Sequence, residues 1–234
     1  MSKFLFESDY IQQIRPEIVS VITENDSSIL DRAELAAIDE VSAYLATQYD
    51  IDKIFAPVYD WAKSDAFTKG ARVRLVASLV WNVATTYTAG QYVADSGSVF
   101  VYRVIGAPTA GTLITNATYF EKIGKFGAFY NCVADVTAAT TEIDNAAFWA
   151  HGDTRSELVL RYLIDVVIYE IHCRINPRNV PESRIQRRDD AIKFLKLCSD
   201  PRNNIQPNLP IKDFGDKKGT DIVWNSNPKQ THYF

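Results

Sequence analysis

The chain has 234 residues, 47% hydrophobic and 23% charged, a balance that excludes wholesale disorder and leaves room for one large domain or two small ones. The formal net charge of −4 rules out a global basic field of the kind that draws a protein onto nucleic acid. That charge is divided unevenly: residues 1–60 hold 4 basic and 12 acidic groups, whereas residues 174–218 hold 11 basic and 6 acidic ones. Two oppositely charged ends suit head-to-side association of copies, or are simply two solvated faces.

In residues 1–62 the pattern is helical. Ser27 or Ser28 is placed to cap a long segment in which Ile29, Leu30, Ala33, Ala37, Val41, Tyr44 and Leu45 form one apolar stripe. Asp31, Arg32, Glu34, Asp39 and Glu40 are assigned to the opposite, charged face. The run from Tyr49 to Asp52 and then Pro57 end the helix. The N-terminus lacks the charged and apolar blocks of a signal peptide, and the longest apolar run, Leu158 to Ile171, is broken by Arg161, Asp165 and Glu170. A soluble protein made in the cytoplasm, with no membrane partner, is expected.

Residues 63–153 change character, gaining Thr, Val, Ala, Gly and Tyr. Ser98–Ile105 and Phe129–Val136 read as strands. Arg72–Trp81 alternates as a strand would, though a short helix also accommodates it. An internal echo runs through this zone. Gly97-Ser-Val-Phe100-Val-Tyr102 returns as Gly127-Ala-Phe129-Tyr130, and Asn116-Ala-Thr-Tyr119-Phe120 as Asn145-Ala-Ala-Phe148-Trp149. Two related units at about 82–124 and 125–152 account for it; coincidence in a Thr/Ala-rich tract is the alternative.

Residues 154–200 are helical again. Asp153 or Thr154 caps a helix to about Ile175 that is apolar around most of its circumference and therefore central. Pro177 and Pro181 bracket a short connection. Glu182–Cys198 turns Ile185, Ala191, Ile192, Leu195 and Cys198 inward and Arg184, Arg187, Arg188, Lys193 and Lys196 outward. Residues 201–234, with Pro201, Pro207, Pro210 and Pro228, read as an extended C-terminal arm. The fold class is α+β: a helical domain in two halves, 1–62 and 154–200, interrupted by a β-rich insertion. Neither half buries its apolar face alone, so the halves must pack together.

No catalytic constellation emerges. Cys132, Cys173 and Cys198 are too far apart for a disulfide framework or zinc site and read as buried thiols. His151, His172 and His232 are scattered, and there is no nucleophile elbow, His-Glu-x-x-His pair or phosphate-binding Gly-rich loop. Asp165 and Glu170 are accounted for by salt bridges to Arg161 or Arg174, four residues away. No enzyme activity, metal or cofactor is expected. The cations Arg174, Arg178, Arg184, Arg187 and Arg188, with Trp224 and Phe234 of the arm, are candidate contacts to partner proteins in preference to DNA.

Two resemblances add to this reading. The stretch Asp31-Arg-Ala-Glu-Leu-Ala-Ala-Ile-Asp-Glu-Val-Ser-Ala-Tyr-Leu-Ala-Thr-Gln-Tyr-Asp50 resembles the second helix of phage head–tail connector (head-completion) proteins of the Mu-like branch. Leu160–His172, Ile175, Pro177, Val180-Pro181 and Arg187–Leu195 resemble that family's later helices, so about 110 residues take part. The resemblance implies a structural virion subunit at the head–tail junction, forming a ring of commonly twelve copies beneath the portal. Portal, neck and tail proteins would be its partners, and genomic DNA would pass through without sequence-specific binding. The insertion departs from the compact family pattern. Its Trp81, Tyr87, Gly90, Tyr92, Val93, Gly97 and Phe100/Tyr102 resemble the opening of small chitin-binding-type carbohydrate modules, whose closing tryptophan is matched only by Trp149. This implies an alternative role in carbohydrate adhesion, with Trp81, Tyr87, Tyr92, Tyr119 and Trp149 as candidate glycan or protein contacts.

Overall fold

The computed structural model describes residues 3–213, apart from residues 25, 98, 139–140, 176–177, 179, 201 and 204–206. Among the described residues the fold is α+β, with six helices and two small mixed sheets. Trp224, Phe234, Pro228 and His232 lie outside them, as do Ser98, Pro177 and Pro201.

The helical body begins with two short helices, α1 (Glu7–Tyr10) and α2 (Pro16–Ile22), the latter started by proline at its first position. The long helix α3 (Ser27–Leu45) follows. It is capped ahead of both serines, by Asp26, whose carboxylate accepts the Ser28 N–H at 2.8 Å. Ala37, Val41 and Leu45 of α3 are fully buried against the central helix α5 (Glu157–Ile175), and α6 (Glu182–Ser199) packs on both. Ser156, rather than Asp153 or Thr154, sits at the start of α5, its carbonyl accepting the Leu160 N–H at 2.9 Å. Val159, Leu160, Leu163, Ile164, Val166, Val167, Ile168 and Ile171 are all buried, which is why that helix is apolar nearly all round. One apolar core unites residues 4–54 with residues 159–209, although about a hundred residues of chain separate the two parts.

Two details of the body differ from the sequence expectation. On α6, Ala191, Ile192, Leu195 and Cys198 are buried, but Ile185 in its first turn stays 37% exposed, outside the helical core cluster. Residues 207–213 do not leave as an arm. Leu209 enters the helical core, Ile211 bridges to Tyr49, and the N–H groups of Asp50 and Lys212 donate to the carbonyls of Pro210 and Gln48 at 2.9 Å each. Cys132 and Cys198 are buried and Cys173 half-buried, all as free thiols.

The short helix α4 (Ile51–Ile54) leads into β1 (Val58–Asp60), which runs parallel to β2 (Arg72–Arg74). The chain then builds a complete second sheet from β3 (Leu79–Val80), β4 (Tyr92–Ala94), β5 (Phe100–Val104) and β6 (Phe120–Lys125). Only afterwards does it return with β7 (Phe129–Cys132) and β8 (Trp149–His151) to finish the first, in the order β1-β2-β7-β8. Arg72–Trp81 therefore supplies strands to both sheets and no helix. In each sheet the first pair is parallel and the next two are antiparallel.

The two units are related, but one is nested inside the other. Consecutive units at 82–124 and 125–152 are ruled out, because the outer sheet draws its strands from both sides of the inner one. Gly70 and Gly90 adopt φ of +91° and +88°, and each donates its N–H at 2.7 Å to the third strand, to Cys132 and Val104 respectively. Phe67 meets Trp149 edge-on at 5.4 Å, as Tyr87 meets Phe120 at 6.2 Å. The Asn145 and Asn116 side chains accept from Ala147 and Thr118 at 3.1 and 3.0 Å, forming matching turns before the last strand. Nesting is sterically easy: Arg74 and Phe129 are paired across neighbouring strands, so the ends of the insertion already stand side by side.

The outer unit is fastened to the helical body by arginines. Arg72 donates to the carbonyls of Lys53, Ile54 and Ala56 at 3.0, 3.1 and 3.3 Å, satisfying the open end of α4. Arg155 is fully buried. It donates to the Phe4 carbonyl, to both oxygens of Asp9 at 2.8 and 3.0 Å and to Asp153 at 2.7 Å, and it lies 4.4 Å from the centroid of the Phe129 ring. Removing such a cation leaves the Asp9 and Asp153 carboxylates with backbone N–H donors but no counter-charge, Asp9 nearly buried. Arg155→Met should therefore cost about 3–5 kcal/mol in urea unfolding. Arg155→Lys, which keeps the charge but loses the fork, should fall between that variant and the native chain.

Candidate interaction surfaces

The basic set on and before α6 divides into two groups. Arg188 is used internally, 2.6 Å from Glu40 and 5.0 Å from the centroid of the Tyr169 ring. Arg184 is half-buried, with one terminal nitrogen out of water. Arg174, Arg178 and Arg187 are exposed and available to a partner. Asp165 is 5% exposed, and the cation that approaches it is Arg187 of α6, at 3.7 Å, instead of Arg161 or Arg174 of its own helix. Burial pushes the Asp165 carboxyl up, against the pull of Arg187, Arg184 and Arg161. His172, four residues short of the connection to α6, is held down by burial and by Arg184.

The aromatic set on the insertion is mostly internal, which corrects its assignment as a contact surface. Trp149 is 3% exposed, and Tyr87 and Tyr92 are buried, so none of the three can offer a flat face to a sugar ring. Trp81 and Tyr119 are half-buried around the inner core. Tyr92 instead joins the two units: its ring meets Trp61 edge-on at 4.9 Å, and its hydroxyl donates to Glu142. Glu142 also takes Lys63, while Arg103 of β5 bridges Glu121 at 2.6 Å and Asp144 at 3.2 Å. Burial and the Glu142 carboxylate raise the Tyr92 hydroxyl far above its ordinary range. The inner unit is thus clamped to the outer one by a charged network.

A third surface was not anticipated. A groove of about 460 Å³ opens between α1, α2, α3 and the strands β1 and β2. Leu5, Phe6, Tyr10, Val19 and Leu30 wall it, and Glu34 lies at its floor. Glu34, expected on the charged outer face of α3, is 8% exposed and accepts the Tyr10 hydroxyl at 2.7 Å. The signal was present: positions 30, 34, 37, 41 and 45 share one helix face, so Glu34 interrupts the apolar stripe instead of opposing it. Burial is the main reason its pKa is pushed up to about 7, with Tyr10 and Lys3 pulling the other way.

Among the described residues no cluster of three or more His, Cys, Asp or Glu could hold a metal ion, and no helix is long and apolar enough to cross a membrane. Comparisons with protein-family models, with curated proteins and with solved structures found no match.

Two predictions follow from burial. Because Glu34 is raised above its ordinary 4.5, ionising it opposes folding. Stability should be unaffected by this group below pH 4.5, fall as pH rises from 4.5 through about 7, and level off above, by roughly 3 kcal/mol in total. Glu34→Gln should abolish that fall and melt higher than the native chain at pH 8. Trp149→Ala, by emptying the core of the outer unit, should cost about 3–5 kcal/mol in a denaturant titration.

Proposed function

We propose that the protein is a structural subunit of a tailed-phage virion, a head-to-tail connector (adaptor) without catalytic activity, that assembles as a ring under the portal and bridges to neck or tail components. The observation that carries this reading is the closure of α3, α5 and α6 into one helical body, although the helices come from opposite ends of the chain. The segments that pack together include those whose sequence resembles connector helices. The nested β units are an addition to that body, fastened through Arg155, Arg72 and the Lys3–Val58 bridge, as expected for an elaboration of a compact adaptor.

Division of charge supports a self-associating subunit: the acidic groups are concentrated on the N-terminal helices and the free cations on and near α6. Twelve copies are proposed on the family resemblance alone. Genomic DNA would pass through the ring past its acidic helices without being held. A carbohydrate-binding role for the insertion is the weaker reading, since three of its five candidate aromatics are core residues.

Imaging of intact particles by electron cryo-microscopy should find the chain as a ring at the head–tail junction. Finding it in tail fibres or in the capsid lattice would overturn the connector reading. Purified alone, the chain should associate weakly, as monomers in exchange with small oligomers, by sedimentation.

A further inference from the structure

We propose that the groove floored by Glu34 receives the exposed basic face of α6 from a second copy of the chain, making a heterologous contact that repeats from copy to copy. This deepens the connector reading and rests on its premise that copies associate.

The groove holds more acid than base once internal pairs are set aside. Lys3 is committed to Asp31 at 2.6 Å, and Arg74 to Asp60 at 2.7 Å. Among the described residues no cation lies within 4 Å of Glu7 or Glu34. Glu7 stands exposed at the rim, Glu34 is out of water at the floor, and apolar walls connect them. Such a groove fits a lysine or arginine, whose aliphatic stem lies along the walls while its head reaches the carboxylates. It is poorly suited to phosphate or DNA.

The matching surface lies elsewhere on the same chain. Lys193 and Lys196 on α6 and Arg178 just before it are exposed, with no carboxylate within 4 Å among the described residues. Arg187 is 53% exposed and only loosely engaged with Asp165. A copy cannot satisfy its own groove with these groups. On α3, Glu34 faces the N-terminal helices whereas Glu40 faces α6 through Arg188, and six residues of helix separate those directions by about 120°. Donor and acceptor surfaces therefore sit on different flanks of α3. A contact between unlike surfaces of identical copies propagates, and it closes into a ring when the rotation permits.

The test uses the full chain, as an equal mixture of ¹⁴N- and ¹⁵N-labelled protein treated with a zero-length carbodiimide. Mixed-isotope cross-links should join the peptide carrying Glu7 or Glu34 to the one carrying Lys193 or Lys196. Two variants complete the test: a groove variant, Glu7→Gln with Glu34→Gln, and a helix variant, Lys193→Glu with Lys196→Glu. All four sites are substituted without emptying the core, and unchanged far-ultraviolet dichroism confirms folding. Each variant alone should self-associate at least about tenfold more weakly than the native chain. Mixed together they should form a 1:1 dimer that grows no further, because each contributes one intact surface.

Cross-links confined to other surfaces, variants that associate as the native chain does, or a mixture that stays monomeric would each overturn the contact. A neck ring whose copies meet elsewhere would sink this inference and leave the connector reading intact. Copies joined through the groove but located away from the neck would do the reverse.

Discussion

The whole architecture depends on how one buried cation is neutralised. Arg155 stands where the chain leaves the outer β unit and enters the central helix, and it is wholly withdrawn from water. A guanidinium is tolerated there only because Asp9, Asp153 and the Phe4 carbonyl take up its donors and the face of Phe129 covers it. Those partners belong to the N-terminal segment, the connection before α5 and the third strand of the outer sheet. Satisfying one charge thus fixes three parts of the molecule at once. Burial favours the neutral form of the Arg155 guanidinium, and the Asp153 and Asp9 carboxylates overcome this.

From that joint outward the protein is a series of units, each mounted on the last. The outer β unit is bound to the helical body by Arg155, by Arg72 on the carbonyls of α4 and by the Lys3–Val58 bridge. The inner unit is bound to the outer by the Trp61–Tyr92 contact and the charges around Glu142. Of the aromatics that resemble sugar-binding positions, Tyr92 is spent on this fastening and Tyr87 and Trp149 on the cores of the two units. In units this small, a few aromatic pairs constitute most of the core, which leaves few such rings free for ligands.

Function in a ring requires surfaces that are unlike and complementary, and the helical body provides them. The acidic groove lies on one flank of α3, and the exposed cations Lys193 and Lys196 lie on α6 beyond the other. The outer β unit takes part as well, since Asp60 of β1 and Arg74 of β2 line the acidic groove. A buried carboxyl in the acidic groove makes it a chemically distinctive acceptor, unlike an ordinary solvated acidic face.

Periodicity alone determined the existence and direction of the long helices, since an apolar stripe can be buried only against another, and this required two distant segments to meet. Composition likewise set the β-rich stretch apart, and the paired Asn-x-x-aromatic-aromatic turns announced its duplication. The nesting was also written in the residues, as Trp61…Phe67-Thr-Lys-Gly70 against Trp81…Tyr87-Thr-Ala-Gly90, but at a spacing of 20 where the later halves repeat at 29. Unequal spacings are natural for one unit inside another and obscure the repeat to a search at fixed period. What only tertiary structure decided was the environment of individual polar and aromatic groups. Arg155 became a hub, Glu34 a groove floor, Trp149 a core residue and Asp165 a partner of the neighbouring helix, because burial depends on what chains distant in sequence bring alongside. Local pattern records which way a side chain faces; it does not record what meets it there.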